Sequence, residues 1–212
     1  MRIKRYILSI ALALSLTQGD AQEVFTAYGS KGTKEPLLTA FSLHTNGIYW
    51  LAAVPNVGME IQTDWGLALS LDYMGAWWNK RSSDHFYSAY GIQTELRYYP
   101  DALDNYAPYR GHHFGIYGQL LTYDFEFGGT GYQAPKLTDT YAFGLAYGYT
   151  KVLSRRLSLD FTVGLGYFRT QYTKYKPYGD NQYMKTISST STFFGPTRLE
   201  VNLVWNINAY NE

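Results

Sequence analysis

The chain has 212 residues, enough for one domain or at most two, with 18 Lys+Arg against 17 Asp+Glu and a formal net charge of +1. That balance excludes the basic excess of a nucleic-acid-binding domain, and the absence of cysteine excludes disulfides, thiolate metal sites, a cysteine nucleophile and a lipid-modified cysteine. Aromatics reach 18%, including 22 Tyr, while charged residues are only 17%, a composition unlike that of a disordered chain.

The N-terminus carries a targeting pattern. Arg2, Lys4 and Arg5 form a basic start, residues 7–16 an apolar run, and Gly19-Asp20-Ala21 puts small residues at −3 and −1 of a cleavage site. This is the order of a secretory signal peptide, and it is too short to span a bilayer. We expect residues 1–21 to be removed on export, 22–37 to form a periplasmic lead segment, and 38–212 to form the folded body. No later stretch has the roughly 18 unbroken apolar residues of a spanning helix. The exported chain is therefore either soluble or embedded as strands.

About eight strands are predicted. Weaker alternation covers residues 40–49, 56–63 and 67–77. Ile92, Thr94, Leu96 and Tyr98 then alternate with Gly91, Gln93, Glu95 and Arg97, and Phe114, Ile116, Gly118 and Leu120 with His113, Gly115, Tyr117 and Gln119. Tyr141, Phe143, Leu145, Tyr147 and Tyr149 alternate with Ala142, Gly144, Ala146 and Gly148. The clearest run sets Leu157, Leu159, Phe161, Val163, Leu165 and Tyr167 against Ser158, Asp160, Thr162, Gly164 and Gly166. Leu199, Val201, Leu203, Trp205 and Ile207 close the series, with Val204 breaking the alternation. Period two over such lengths is a strand signal.

Two architectures fit: a soluble sandwich or barrel with its apolar face inward, or a membrane barrel with that face toward lipid. Lys31, Lys34, Lys80, Lys136, Lys151, Lys174, Lys176 and Lys185 all fall outside the runs or at their ends, whereas a soluble sheet carries lysines on its wet face and edges. The non-apolar face is mostly Gly, Ala, Ser, Thr, Asn and Gln, which suits the narrow interior of an eight-stranded barrel. Tyr49, Trp77, Trp78, Tyr98, Tyr147, Tyr149, Tyr167 and Trp205 lie where interfacial aromatic girdles belong. The expected fold is all-β: a single antiparallel transmembrane β-barrel of eight strands in the outer membrane. Outer loops are expected near 51–55, 79–85, 126–137 and 171–192, and inner turns near 64–66, 100–111 and 153–156.

The polar face supplies a candidate lumen network: His44, Asn46, Glu60, Asp72, Glu95, Arg97, His113, Asp160, Arg198 and Glu200. Unpaired charges inside would be costly, so a paired plug and a cation or proton path are the two readings. Ser82-Ser83-Asp84-His85 on an outer loop and the i, i+2 pair Ser42 and His44 are the enzyme candidates. His112-His113 is a poor metal pair, because adjacent strand residues face opposite ways. The 171–192 segment is the candidate contact loop. Its Tyr172, Lys174, Tyr175, Lys176, Tyr178 and Tyr183 suit recognition, because Tyr buries much area at low entropy cost. No catalytic, cofactor-binding or metal residue is assigned.

Short motifs in order carry a resemblance. They are Thr45-Asn46-Gly47-Ile48-Tyr49, Pro55-Asn56-Val57-Gly58-Met59-Glu60, Glu95-Leu96-Arg97-Tyr98-Tyr99, Gly111-His112-His113-Phe114-Gly115, residues 144–149, Gly164-Leu165-Gly166-Tyr167 and Gly195-Pro196-Thr197-Arg198. In this order the chain resembles the Bacteroidetes outer-membrane family known as domain of unknown function 3575, over residues 38–207. The resemblance implies an outer-membrane barrel-like protein without assigned catalytic residues. By association it also implies a role beside fimbrial or pilus components. The expected partners are outer-membrane lipid and a surface-fibre or other cell-envelope protein. The alternatives are a small outer-membrane enzyme acting on lipid A or peptide, and a narrow transport barrel.

Overall fold

A computed structural model describes residues 38–63, 65–80, 85–101, 110–127, 129–177 and 183–207. The expected signal peptide and lead segment lie outside them. The elements in chain order are β1 (Leu38–Asn46), α1 (Gly47–Leu51), β2 (Asn56–Thr63), β3 (Leu67–Lys80), β4 (His85–Tyr98), β5 (Gly111–Phe127), β6 (Gly131–Ala134), β7 (Thr140–Ser154), β8 (Leu157–Pro177) and β9 (Tyr183–Asn206). All strands belong to one antiparallel sheet. Eight of them pair in a ring, in the order β1-β2-β3-β4-β5-β7-β8-β9 and back to β1. Among the described residues no helix is long and apolar enough to cross a membrane.

Local chemistry sets the connections. Between β2 and β3, Gly66 adopts φ 74 and donates its N–H to the Thr63 carbonyl at 3.1 Å, a left-handed conformation that glycine adopts without a Cβ penalty. At the opposite end Asn46 caps α1, its side chain accepting the Ile48 N–H at 2.9 Å. Two residues, Arg155 and Arg156, join β7 to β8.

The register turns the sequence alternation into courses around the ring. One outward course runs Ile61, Leu69, Leu96, Ile116, Leu145, Leu165 across β2, β3, β4, β5, β7 and β8. One position over, an inward course runs Arg97, Gly115, Ala146, Gly164, Arg198. Because successive side chains leave a strand on opposite faces, one face of the ring is apolar and the other polar.

Burial is inverted relative to a water-soluble domain. Twenty-one described polar or charged residues are buried, against eleven apolar ones. Those eleven are seven alanines, Val54, Val204, Tyr99 and Tyr117; none is Leu, Ile, Phe, Met or Trp. Thirty-three large apolar or aromatic residues among those described are exposed. Soluble proteins place their Leu, Ile, Phe and Met inside; here the described residues of these types are not among the buried ones.

Four expectations are corrected. The 171–192 segment is not a loop. β8 reaches Pro177 and β9 starts at Tyr183, with Pro177 opposite Tyr183, so Tyr172, Lys174, Tyr175 and Lys176 stand on a strand of a long hairpin. Tyr178 lies outside the described residues, and Tyr183 begins β9. Second, the 126–137 connection contains a ninth, four-residue strand, β6, which pairs with β5 and β8 above the end of β7. Third, Lys80, Lys174, Lys176 and Lys185 do lie on strands, because the strands run past the stretches of clear alternation, while Lys151 lies near the end of β7 as expected. Tyr49 also leaves the expected girdle; it sits on α1 and lines an interior cavity.

Candidate functional site

The polar interior begins with small side chains that make room for large charged ones. Gly115, Ala146 and Gly164 separate Arg97 from Arg198 along their course. A Cβ at Gly115 would collide with the Glu95 carboxylate, and one at Gly148 with the His113 imidazole. The bulge between Gly164 and Leu165 gives β9 one extra residue. Thr197 there hydrogen-bonds the Tyr117 hydroxyl while the adjacent Arg198 also enters the interior.

Arg97 on β4 is one hub. Its Nη1 donates to Glu60 Oε2 at 2.7 Å and its Nε to Glu95 Oε2 at 2.6 Å, and Nη1 lies 3.7 Å from Asp160 Oδ2. Tyr99 donates its hydroxyl to Glu60 Oε1 at 2.9 Å. Arg198 on β9 is the second hub. Its Nη1 donates to Glu95 Oε2 and its Nη2 to Glu200 Oε2, both at 2.6 Å, and its guanidinium lies 5.3 Å from the Tyr117 ring centroid. Gln93 and Asn202 also donate to Glu200, at 2.9 and 3.1 Å.

Asp160 on β8 gathers a third group. His113 Nε2 lies 2.8 Å from its Oδ1; Thr150 donates to Oδ1 at 2.8 Å and Thr162 to Oδ2 at 3.0 Å. Strands β4 and β9 stand opposite each other in the eight-strand ring, so the Arg198–Glu95 bond crosses the interior. Charge-assisted bonds of 2.6–2.8 Å are the strong class, and these tie β2, β4, β5, β8 and β9 across the interior of the ring.

A separate pair lies toward the α1 end. His44 Nε2 faces Asp72 Oδ1 at 2.6 Å, and Ser70 donates to Asp72 Oδ2 at 3.1 Å. Gly58 provides the space beside them, since a Cβ there would meet both side chains. Next to this pair lies a cavity of about 20 Å³ lined by Asn46, Tyr49, Asn56, Asp72, Gln93, Gln119 and Glu200, among others, large enough for a water molecule.

The interior thus brings together nine of the ten candidate network residues in two groups. Glu60, Glu95, Arg97, His113, Asp160, Arg198 and Glu200 form one connected network; His44 pairs with Asp72 beside it. Asn46 belongs elsewhere: besides capping α1 it accepts from Asn56 Nδ2 on its carbonyl at 3.0 Å, and its N–H donates to Asn56 Oδ1 at 2.6 Å, closing the β1–β2 connection. Sequence reasoning missed Gln93, Tyr99, Tyr117, Thr150, Thr162 and Asn202. Parity was the available signal, because Gln93, Glu95, Arg97 and Tyr99 continue one i, i+2 row beyond the end of β4.

Of the enzyme candidates, Ser42 and His44 do not pair, and Ser82 and Ser83 lie outside the described residues. Ser42 is buried, but its Oγ has no hydrogen-bond partner among the described residues, and His44 turns to Asp72 instead. Asp84 lies outside the described residues. His112 and His113 face opposite ways: His112 is exposed and hydrogen-bonded to the Tyr147 hydroxyl at 2.8 Å, while His113 is buried. Among the described residues no group of three or more His, Asp and Glu is arranged to hold a metal.

Of the contact-loop candidates, Lys174 lies over the rings of Tyr132 and Tyr172, 5.3 and 5.8 Å from their centroids. Tyr175 donates to Asp124 Oδ1 at 2.7 Å, and Gln133 donates to Asp124 Oδ2 at 3.0 Å. These contacts brace the hairpin against β6 and β5. No curated protein matches the chain, and no solved structure does. A family model does match, over residues 8–207, nearly the full length, and the chain belongs to that family, described as Protein of unknown function (DUF3575).

Proposed function

We propose that this protein is an eight-stranded outer-membrane β-barrel with a closed, ion-paired lumen, and that its role is non-enzymatic: structural, or accessory to assembly of a surface fibre through its loop-end hairpin. The inverted burial carries the membrane reading. A lipid surround satisfies the exposed Leu, Ile, Val and Phe courses, and the polar interior needs no contact with lipid. Strands of 14–24 residues, β3–β5 and β7–β9, exceed the roughly 9–11 residues of a tilted spanning strand. The surplus gathers at the end that bears β6 and the β8–β9 hairpin. An eight-stranded interior is about filled by side chains, and the Arg198–Glu95 bond across it weighs against transport. The unformed Ser42–His44 pair weighs against an enzyme.

The accessory role is tested by shortening the hairpin. Joining Gln171 to Thr190, which are register partners, through a two-residue Asn-Gly turn removes the projecting tip and leaves the ring intact. The shortened chain is expected in the outer-membrane fraction at normal yield. Envelope proteins crosslinked to the full-length chain on intact cells are expected to be lost. Unchanged crosslinking would overturn the hairpin as the contact. A wild-type chain recovered in the soluble fraction without detergent would overturn the membrane reading.

A further inference from the structure

On one side of the ring the wall stops short. β9 pairs with β8 from Tyr183 to Trp205, but with β1 only from Asn202 to Asn206. β3 pairs with β4 up to Lys80, but with β2 only up to Met74. Above β1 and β2 the wall is therefore two strands short, a gap between β9 and β3 of three strand spacings, about 14 Å.

The two sides of that gap differ. The β3 side is tied off: Gly75 N–H donates to the Pro55 carbonyl at 3.0 Å, and Trp78 Nε1–H to the Ala53 carbonyl at 2.7 Å. Among the described residues, no strand pairs with the gap-facing edge of β9 between Met184 and Leu199. Every second residue of a strand directs its N–H and C=O away from a given neighbour, so this edge presents a row of backbone donors and acceptors.

The chain closes the corresponding gap above β7 itself. β7 begins only at Thr140, and β6 inserts above it between β5 and β8, with Ala134 opposite Tyr123 and Gly131 opposite Tyr175. A four-residue extended segment is enough to continue the wall there. Natural edges are guarded by charge, proline or bulges. From Ile187 to Gly195 β9 has no charge and no proline, and its two register shifts fall outside this stretch. Phe194 is 78% exposed.

The hairpin also has a sign. Arg169, Lys174, Lys176 and Lys185 stand on it, while Asp180 is the only acidic residue between Asp160 and Glu200 in the sequence. Charge complementarity therefore favours an acidic partner. A second copy fits poorly, an exclusion that rests on the proposed membrane reading. Two copies in one membrane point the same way, so their tilted β9 edges would meet parallel and crossed rather than as a flat antiparallel pair.

We propose that the β9 edge from Ile187 to Gly195 is a strand-addition site that accepts an extended acidic segment of a partner polypeptide, completing the wall above β1. Main-chain hydrogen bonds would supply the binding and alternate side chains the selectivity. This deepens the accessory role proposed above by naming its surface.

The chain has no cysteine, so single cysteines give a clean test in the full-length protein refolded in detergent. The probe is a twelve-residue peptide of alternating Thr and Val with three Glu and one central Cys. Disulfide capture by Thr190→Cys is expected to exceed capture by Thr122→Cys, on the outer face of β5, at least tenfold. The peptide without its Cys is expected to slow amide exchange of wild-type β9 at least tenfold at alternate residues between 187 and 195. A peptide with Lys in place of Glu is expected to be captured at least fivefold less. Equal capture at the two cysteines, or no change in exchange at millimolar peptide, would overturn the site. Equal capture of the Lys peptide would overturn the acidic partner. Dimers whose β9 edge is protected without peptide would replace the partner by a second copy. Solubility without detergent would overturn the membrane reading and leave the capture ratio readable.

Discussion

Arg97→Met is expected to lower the unfolding free energy by about 3–5 kcal/mol, the cost of removing one member of a buried charge network. The guanidinium joins Glu60 and Glu95 at 2.7 and 2.6 Å, with Asp160 at 3.7 Å. Methionine keeps much of the volume and none of the charge. Glu60 retains the Tyr99 hydroxyl and Glu95 retains Arg198, but the cluster is left with an excess of carboxylates in a buried interior. Most of the loss comes from those stranded charges rather than from the vanished bonds. The double variant Arg97→Met with Glu60→Gln is therefore expected to recover at least half of it. Urea unfolding of protein folded into lipid vesicles measures both. A loss under about 1 kcal/mol would mean that water screens the interior, and the plug reading would fail.

Leu145→Arg is the second large effect. Leu145 is 67% exposed, between Ile116 and Leu165 in the outward course. In water, an Arg at an exposed strand position away from special contacts changes stability within about 0.5 kcal/mol. At the mid-depth of a bilayer, Arg on a barrel's lipid face costs about 2–4 kcal/mol. The course has aromatic residues on both sides along β7, Tyr147 and Tyr149 toward one end and Phe143 and Tyr141 toward the other, which places Leu145 near the middle of the belt. Urea unfolding in vesicles is expected to show the larger loss. Stability within the smaller range would show that this surface does not face lipid.

Much of the ring was legible in the sequence because one face of each strand is apolar and the other small or polar. Residues 157–168 show the alternation almost without exception, and they pair on both sides as a wall strand should. The signal disappears where a strand rises beyond the apolar belt. Residues 169–177 and 183–192 mix Thr, Ser, Tyr and Lys on both faces, so period two vanishes although the backbone ladder continues. In the sequence the hairpin reads as a loop for that reason, and β6, with only Gly-Tyr-Gln-Ala, cannot declare itself. Interior membership followed from parity; interior partnership did not. The Arg198–Glu95 bond joins residues 103 apart in sequence, and it exists because β4 and β9 oppose each other once the ring closes. Neither residue's immediate sequence neighbours encode that meeting.

The proposed membrane reading puts lipid around the ring and the charged network inside it. Leu145 and Ala146 are adjacent on β7 and face opposite ways, one exposed and one buried, in a chain without cysteine. Nitroxide labels on Leu145→Cys and Ala146→Cys, in protein folded into lipid vesicles, test the claim most directly. The label at 145 is expected to relax with dissolved oxygen and to be shielded from a water-soluble nickel chelate, and the label at 146 to be immobilised and shielded from oxygen. A label at 145 that responds to the nickel chelate as an aqueous surface residue does would overturn the membrane reading.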